Sequence, residues 1–360
     1  MTTTTTAATS SDPAAGTAAT AGIERVGVVG SGIMGTGIAE LCARSGLDVR
    51  VAVFSEASLH RAPQRLAAGL ERGVDRGRLT PAERDAALER VSFTRDLGEL
   101  ADRQLVIEAV KEDLQLKLDL FAVLDKSVED ADAILATNTS SLPVARLAAA
   151  TRRPAQVLGL HFFNPVPALP LVELVPGVRT DESVTARALA FVRDTLGKQP
   201  ITSPDRAGFL VNALLFPYLL SAVRMVESGL ATAEVVDQGM RQGCSHPLGP
   251  LQLADLIGLD TTVSIAQAMY EEFKQPLYAP PSLLLRMVEG GLLGRKSGRG
   301  FYTYDSPPAA QEGAWSPPTA TGPPIFLRRA GQVAAVSVSA PAASRSPATA
   351  AATWAGWSKR

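Results

Sequence analysis

Cysteine is scarce in this chain: Cys42 and Cys244 are the only two in 360 residues. They lie far apart and outside any CxxC or metal-ligand spacing. That excludes a disulfide framework or thiolate metal centre and leaves reduced thiols as the expectation. Histidine is almost as rare, so any imidazole chemistry must use one of three residues, His60, His161 or His246. An excess of one charge is also missing. Lys+Arg number 35 and Asp+Glu 36, for a net charge of -1, which offers no footprint for nucleic acid or an anionic membrane. The longest apolar stretch, residues 209–223, falls short of the about 20 residues needed to span a bilayer, and Asn212 and Pro217 interrupt it. The N-terminus has no basic segment followed by an apolar one, so it does not read as a secretory signal. A soluble, cytoplasmic protein with neither nucleic acid nor membrane as partner is expected.

Residues 1–22 are rich in Thr, Ala and Ser and cannot bury enough apolar surface to fix a fold, so they are expected to be disordered. The same holds for residues 306–360, where Pro, Ala, Ser and Thr surround Trp315, Trp354 and Trp357; a short strand near 325–327 is the one element expected there. Between the tails, apolar runs at 23–29, 49–54, 104–109, 133–136 and 157–162 alternate with helical patterns at 33–44, 57–76 and 112–128. Apolar strands separated by helices predict a parallel sheet covered on both faces. From Ala207 onward helical periodicity takes over, at 209–227, 231–242, 251–272 and 282–289. The predicted organisation is an α/β domain over 23–204 and a smaller all-helical domain over 205–305.

The first strand runs directly into Gly30-Ser31-Gly32-Ile33-Met34-Gly35, and a helical pattern follows at once. In G-x-G-x-x-G the first glycine makes the tight turn, the second admits a pyrophosphate close to the backbone, and the third lets helix and strand pack. The helix N-terminus supplies unpaired N–H groups and positive partial charge for the phosphates. The context therefore predicts a Rossmann-type doubly wound sheet that binds a dinucleotide. At the end of the second strand, where an NAD site usually carries Asp or Glu, the sequence reads Val53-Phe54-Ser55-Glu56. Glu56 either substitutes from the loop or caps the next helix, so NAD and NADP both stay open.

An enzyme that oxidises an alcohol needs a base that titrates near neutral pH, commonly histidine. His60 lies in a polar, Arg-flanked helical stretch and His246 in a Pro-rich turn, which suits surface and structural roles. His161 ends an apolar strand, and ligands bind at the carboxyl ends of strands in such sheets. Glu173 interrupts the apolar run Leu171-Val172-Glu173-Leu174-Val175, where an unpaired charge is costly. A return strand would let it accept the His161 N–H; otherwise it is an outward edge charge. Ser140, in Asn138-Thr139-Ser140-Ser141, either caps a helix or points at a substrate oxygen. Asn212, set in an apolar run, either caps neighbouring backbone or donates to that oxygen.

Over residues 26–304 the chain resembles the 3-hydroxyacyl-CoA dehydrogenase family, above all its bacterial 3-hydroxybutyryl-CoA members. The resemblance rests on the glycine motif, Val106-Ile107-Glu108-Ala109-Val110-Lys111-Glu112, Asn138-Thr139-Ser140-Ser141 and Gly159-Leu160-His161-Phe162-Phe163-Asn164-Pro165. It continues through Gly208-Phe209-Leu210-Val211-Asn212, His246-Pro247-Leu248-Gly249-Pro250 and Lys296-Ser297-Gly298-Arg299-Gly300-Phe301-Tyr302. It implies an acid–base pair at His161 and Glu173, with Ser140 and Asn212 on the substrate oxygen. It also implies contacts to NAD or NADP from Glu112, Lys117, Ser140, Asn164 and Lys296, an acyl-CoA substrate, and a homodimer through the helical domain. Two departures stand out. The family's ribose carboxylate falls on Val53, and Gly69 and Arg76 occupy positions where some relatives contact CoA. Arg72, Arg76 and Arg78 either steer the CoA phosphates or form a solvated helix face. The readings that compete are a dehydrogenase of a free hydroxy acid and a nucleotide-binding protein without turnover.

Overall fold

The computed structural model describes residues 22–304 and two short strands, Arg328–Arg329 and Gln332–Val333, which pair antiparallel with each other. The disorder expected of residues 1–22 and 306–360, and the strand expected near 325–327, concern segments outside the described residues. Residues 22–304 lie within one compact unit.

Strand β1 (Arg25–Val29) leads into α1 (Ile33–Arg44), β2 (Asp48–Ala52), α2 (Glu56–Asp75), α3 (Pro81–Glu89), β3 (Val91–Thr94) and β4 (Leu105–Glu108). Then come α4 (Leu114–Ser127), β5 (Ile134–Thr137), α5 (Val144–Ala149), β6 (Val157–Phe162), β7 (Leu171–Pro176), α6 (Glu182–Ala190) and β8 (Gln199–Thr202). The eight strands form one sheet in the order β3-β2-β1-β4-β5-β6-β7-β8, and β7 runs antiparallel to β6. The strand order reverses between β1 and β4, which opens a crevice at their carboxyl ends, the ligand site of doubly wound sheets.

The side-chain alternation explains why the strands are apolar throughout. Leu105, Ile107, Ile134 and Ala136 pack into one apolar cluster, while Val106 and Leu135 pack into a second. Helices cover both faces, so no strand position along β4 or β5 is exposed to water.

A third apolar cluster belongs to the helices that follow: α7 (Val211–Glu227), α8 (Ala233–Gly243), α9 (Pro250–Ile257), α10 (Leu259–Phe273) and α11 (Ser282–Glu289). The single helix expected over 251–272 is broken: Gly258 takes φ 100° and starts a second helix at Leu259. Two buried aspartates tie this region together. Asp237 accepts from the N–H groups of Leu251 (2.8 Å) and Gln252 (2.9 Å) and from the Tyr302 hydroxyl (2.9 Å), so it caps α9 from α8. Asp255 accepts from the Phe301 and Tyr302 N–H groups, both at 3.0 Å, and from the Tyr304 hydroxyl at 2.9 Å. Thus the Lys296–Tyr302 motif is a turn held against α9. His246, as expected of a structural residue, pairs its Nδ1 with the Tyr218 hydroxyl at 3.0 Å.

Candidate active site

The glycine turn is shaped by close backbone approach. Gly30 has φ 109°, and a Cβ there would stand 2.5 Å from the Ala109 carbonyl oxygen. A Cβ on Gly35 would stand 2.0 Å from the Gly30 carbonyl oxygen, whereas one on Gly32 would meet nothing within 4 Å. The turn is therefore closed on its β4 side and open in front of α1. That is the cradle a pyrophosphate needs, with helix N–H groups facing it. Ile33 is 56% exposed beside this opening. Arg65, from α2, donates to the Ser31 carbonyl at the rim. The residues present fit a dinucleotide. Gly35→Ala is expected to weaken NADH binding by about fivefold to a hundredfold, because overpacking against backbone costs about 1–3 kcal/mol. Fluorescence titration of NADH checks this; wild-type affinity would refute the packing argument.

His161 and Glu173 face each other as a direct pair across β6 and β7. His161 Nδ1 lies 2.7 Å from Glu173 Oε2, and Ser140 Oγ lies 3.0 Å from His161 Nε2. A carboxylate at Nδ1 keeps the proton on that nitrogen and leaves Nε2 free to accept. The other oxygen, Glu173 Oε1, accepts from the N–H groups of Leu210 (3.0 Å) and Val211 (2.8 Å) at the start of α7. One buried carboxylate thus orients the imidazole and anchors a helix. The His161 ring meets Phe163 and Phe209 edge-on, with centroids 4.6 and 5.5 Å apart. Asn212 is buried in the first turn of α7, and its amide makes no hydrogen bond within the described residues. It remains available to a ligand.

Ser140 is held by a second polar group. Glu112 Oε1 accepts from the Ser140 N–H (3.1 Å), the Ser141 hydroxyl (3.2 Å) and the Thr139 hydroxyl. Lys117 sits 1% exposed between Glu112 (2.8 Å) and the fully buried Glu108 (3.0 Å), and the Thr137 hydroxyl also donates to Glu108 at 2.7 Å. Desolvation would raise the Glu112 carboxyl. The Lys117 charge, together with hydrogen bonds from Lys117, Thr139 and Ser140, outweighs it and holds the group below its ordinary range. Lys117 is therefore enclosed by carboxylates, and the nearer surface for a ligand is Glu112, whose side chain is 30% exposed.

Asn164 is exposed and lines a cleft between α1 and α2, together with Ile33, Thr36, Arg65, Arg72 and Val166. The loop that carries it is clamped by Lys198, which donates to the carbonyls of Val166 (2.8 Å), Pro167 (3.3 Å) and Leu169 (2.7 Å). Burial, with Arg44 adding repulsion, pushes the Lys198 amine down to about 8. Lys296 lies elsewhere, paired with Asp260 at the start of α10. His60 is a surface residue on α2, its side chain 75% exposed. Sequence reasoning missed Lys198, Glu108, Phe209 and the Glu173 link to α7. Only Glu108 and Lys198 left a signal, as charges beside apolar strands.

The sheet order and the cradle at its switch point are those of a doubly wound, dinucleotide-binding protein. Residues 25–206 match the NAD-binding domain of 3-hydroxyacyl-CoA dehydrogenase, and residues 208–304 match its C-terminal domain. A 3-hydroxybutyryl-CoA dehydrogenase of Mycobacterium tuberculosis is 59% identical over 282 residues, covering 78% of this chain and 99% of that protein. The crystal structure of M. tuberculosis FadB2 superimposes with a TM-score of 0.78 at 59% identity, covering 79% of this chain and 99% of that one. An (S)-3-hydroxybutyryl-CoA dehydrogenase from Ralstonia eutropha gives a TM-score of 0.75 at 42% identity, covering 79% of this chain and 100% of that one. The chain belongs to the 3-hydroxyacyl-CoA dehydrogenase family.

Proposed function

We propose that this chain oxidises (S)-3-hydroxyacyl-CoA, with 3-hydroxybutyryl-CoA as substrate, to the 3-oxoacyl-CoA, and catalyses the reverse reduction. The observation that carries the reading is the continuous relay from Ser140 through His161 to Glu173 at the carboxyl ends of β5 and β6. When bound, the nicotinamide supplies the hydride acceptor. His161 Nε2 takes the proton of the 3-hydroxyl, and Glu173 stabilises the resulting imidazolium. Ser140 and the unpartnered Asn212 amide hold the substrate oxygen as charge develops on it. In reduction, the imidazolium returns the proton to the nascent alkoxide.

Glycine residues 30, 32 and 35, with Ser31, Ile33 and Met34, form the pyrophosphate cradle. Glu112, Ser140 and Asn164 are assigned to the nicotinamide side, with Lys117 acting through Glu112; Lys296 would contribute only by leaving its pair with Asp260. The CoA phosphates are assigned to the C-terminal end of α2, where Arg72, Arg76 and Arg78 follow one another. Residues 23–204 form the cofactor domain and 205–305 the helical domain. Leu214, 73% exposed on α7, together with Leu210 at 48%, supports a homodimer through that helix, which sedimentation equilibrium tests. Among the described residues no helix is long and apolar enough to cross a membrane.

The test is NAD-dependent oxidation of (S)-3-hydroxybutyryl-CoA beside free 3-hydroxybutyrate. Turnover of the thioester at least about a hundredfold above that of the free acid is expected, because loss of the CoA contacts forfeits remote binding energy. Preference for the free acid would favour the hydroxy-acid reading. Cofactor binding with no turnover of either would favour the non-catalytic one.

A further inference from the structure

We propose that the Arg95–Glu56 ion pair is a two-sided receptor for the adenosine ribose of the cofactor, through which the chain takes both NAD(H) and NADP(H). The inference rests on the dinucleotide reading of the glycine turn. In this fold the adenosine ribose lies at the carboxyl end of β2, where a strand-end carboxylate binds the ribose hydroxyls and repels a 2′-phosphate. Here that position is Val53, apolar and 2% exposed. Phe54, 57% exposed, brings no charge either.

The charges come from the two elements that flank this strand end. The Val53 N–H donates to the Thr94 carbonyl at 2.9 Å, so Arg95 leaves β3 directly beside the end of β2. Glu56 is the first residue of α2, and its Oε2 lies 2.8 Å from Arg95 Nη1. His60, one helical turn on, lies 3.6 Å from Glu56 Oε1. The Arg95 and Glu56 side chains are 53% and 63% exposed. An ion pair so exposed is weak and separates at little cost.

Each partner suits one cofactor. A ribose diol offers hydroxyl donors to the Glu56 carboxylate. A 2′-phosphate offers charged acceptors to the Arg95 guanidinium, a geometry in which arginine binds phosphate well, and the α2 N-terminus adds favourable potential. Paired with each other, the two charges nearly cancel, so neither cofactor meets uncompensated repulsion.

The experiment is a binding titration of NADH and of NADPH without acyl substrate, read by nicotinamide fluorescence. Wild-type Kd values within about tenfold of each other are expected. Arg95→Ala should shift the Kd ratio towards NADH by about tenfold, and Arg95→Lys should restore most of the NADPH affinity, as expected for a charge-assisted phosphate contact. Glu56→Gln should move the ratio the opposite way by about threefold to tenfold, through loss of a like charge near the phosphate. If wild type binds NADH but not NADPH, or if both variants change the two affinities in parallel, the inference is overturned while the dinucleotide site stands. Failure to bind either cofactor overturns both.

Discussion

Replacing His161 with Gln is expected to lower acetoacetyl-CoA reduction by about two to four decades in kcat, with NADH still bound. The physical reason is local. His161 Nε2 is the group 3.0 Å from the Ser140 hydroxyl, and its Nδ1 is committed to Glu173 at 2.7 Å. Glutamine fills similar space but cannot carry a proton between substrate and solvent near neutral pH. The cradle at Gly30 and Gly35 lies on other elements and makes no bond to this ring. A fall in kcat with little change in NADH affinity is thus the signature of a lost proton carrier. A matching loss of NADH affinity would indicate that the ring shapes the cofactor site instead.

Removal of Glu173 is expected to damage both rate and stability. Its two oxygens serve different masters: Oε2 holds the imidazole, and Oε1 accepts from the Leu210 and Val211 N–H groups. In Glu173→Ala, a partly enclosed ring and two helix N–H groups lose their acceptor together. Breaking a buried polar set in this way costs about 3–5 kcal/mol, which thermal unfolding should report as a marked fall in Tm. Glu173→Gln separates the two roles. The amide oxygen can still accept from α7, but its NH2 faces a protonated Nδ1 and favours the opposite tautomer. This variant should recover most of the Tm and still lose about two to four decades of kcat. Equal Tm losses in both variants would place the stabilisation in the carboxylate charge and not in the α7 bonds.

The positions of these residues in the fold were readable in the sequence to differing degrees. The glycine motif, the strand ending in His161 and the charge within Leu171-Val172-Glu173-Leu174-Val175 are local patterns, and each appears in the place its pattern implied. Pairing of His161 with Glu173 follows once two adjacent strands run antiparallel, because residues in direct register share a face. Other elements were hidden for identifiable reasons. Helix α3 is announced by Thr80-Pro81-Ala82-Glu83, a capping box that closes as Thr80 and Glu83 exchange hydrogen bonds. That signal is weaker than apolar periodicity and is easily passed over. β8 contains Pro200, which argues against a strand except at a sheet edge, where β8 lies. The Glu173 bonds to α7 and the Lys198 clamp on the Val166–Leu169 carbonyls join residues distant in sequence, so no local pattern carries them. The enclosure of Lys117 by two carboxylates is of the same kind: spacing places all three near one strand end, but only packing decides that the lysine faces inward.

The central claim is that Glu173 acts on the reaction through His161, as one unit. A double-mutant cycle measures this most directly, comparing kcat for acetoacetyl-CoA reduction in His161→Gln, Glu173→Gln and the double variant. A serial relay predicts that the double variant is no slower than His161→Gln beyond about threefold, because the carboxylate has nothing left to orient. Losses that multiply would show the two residues working independently, and would contradict the account.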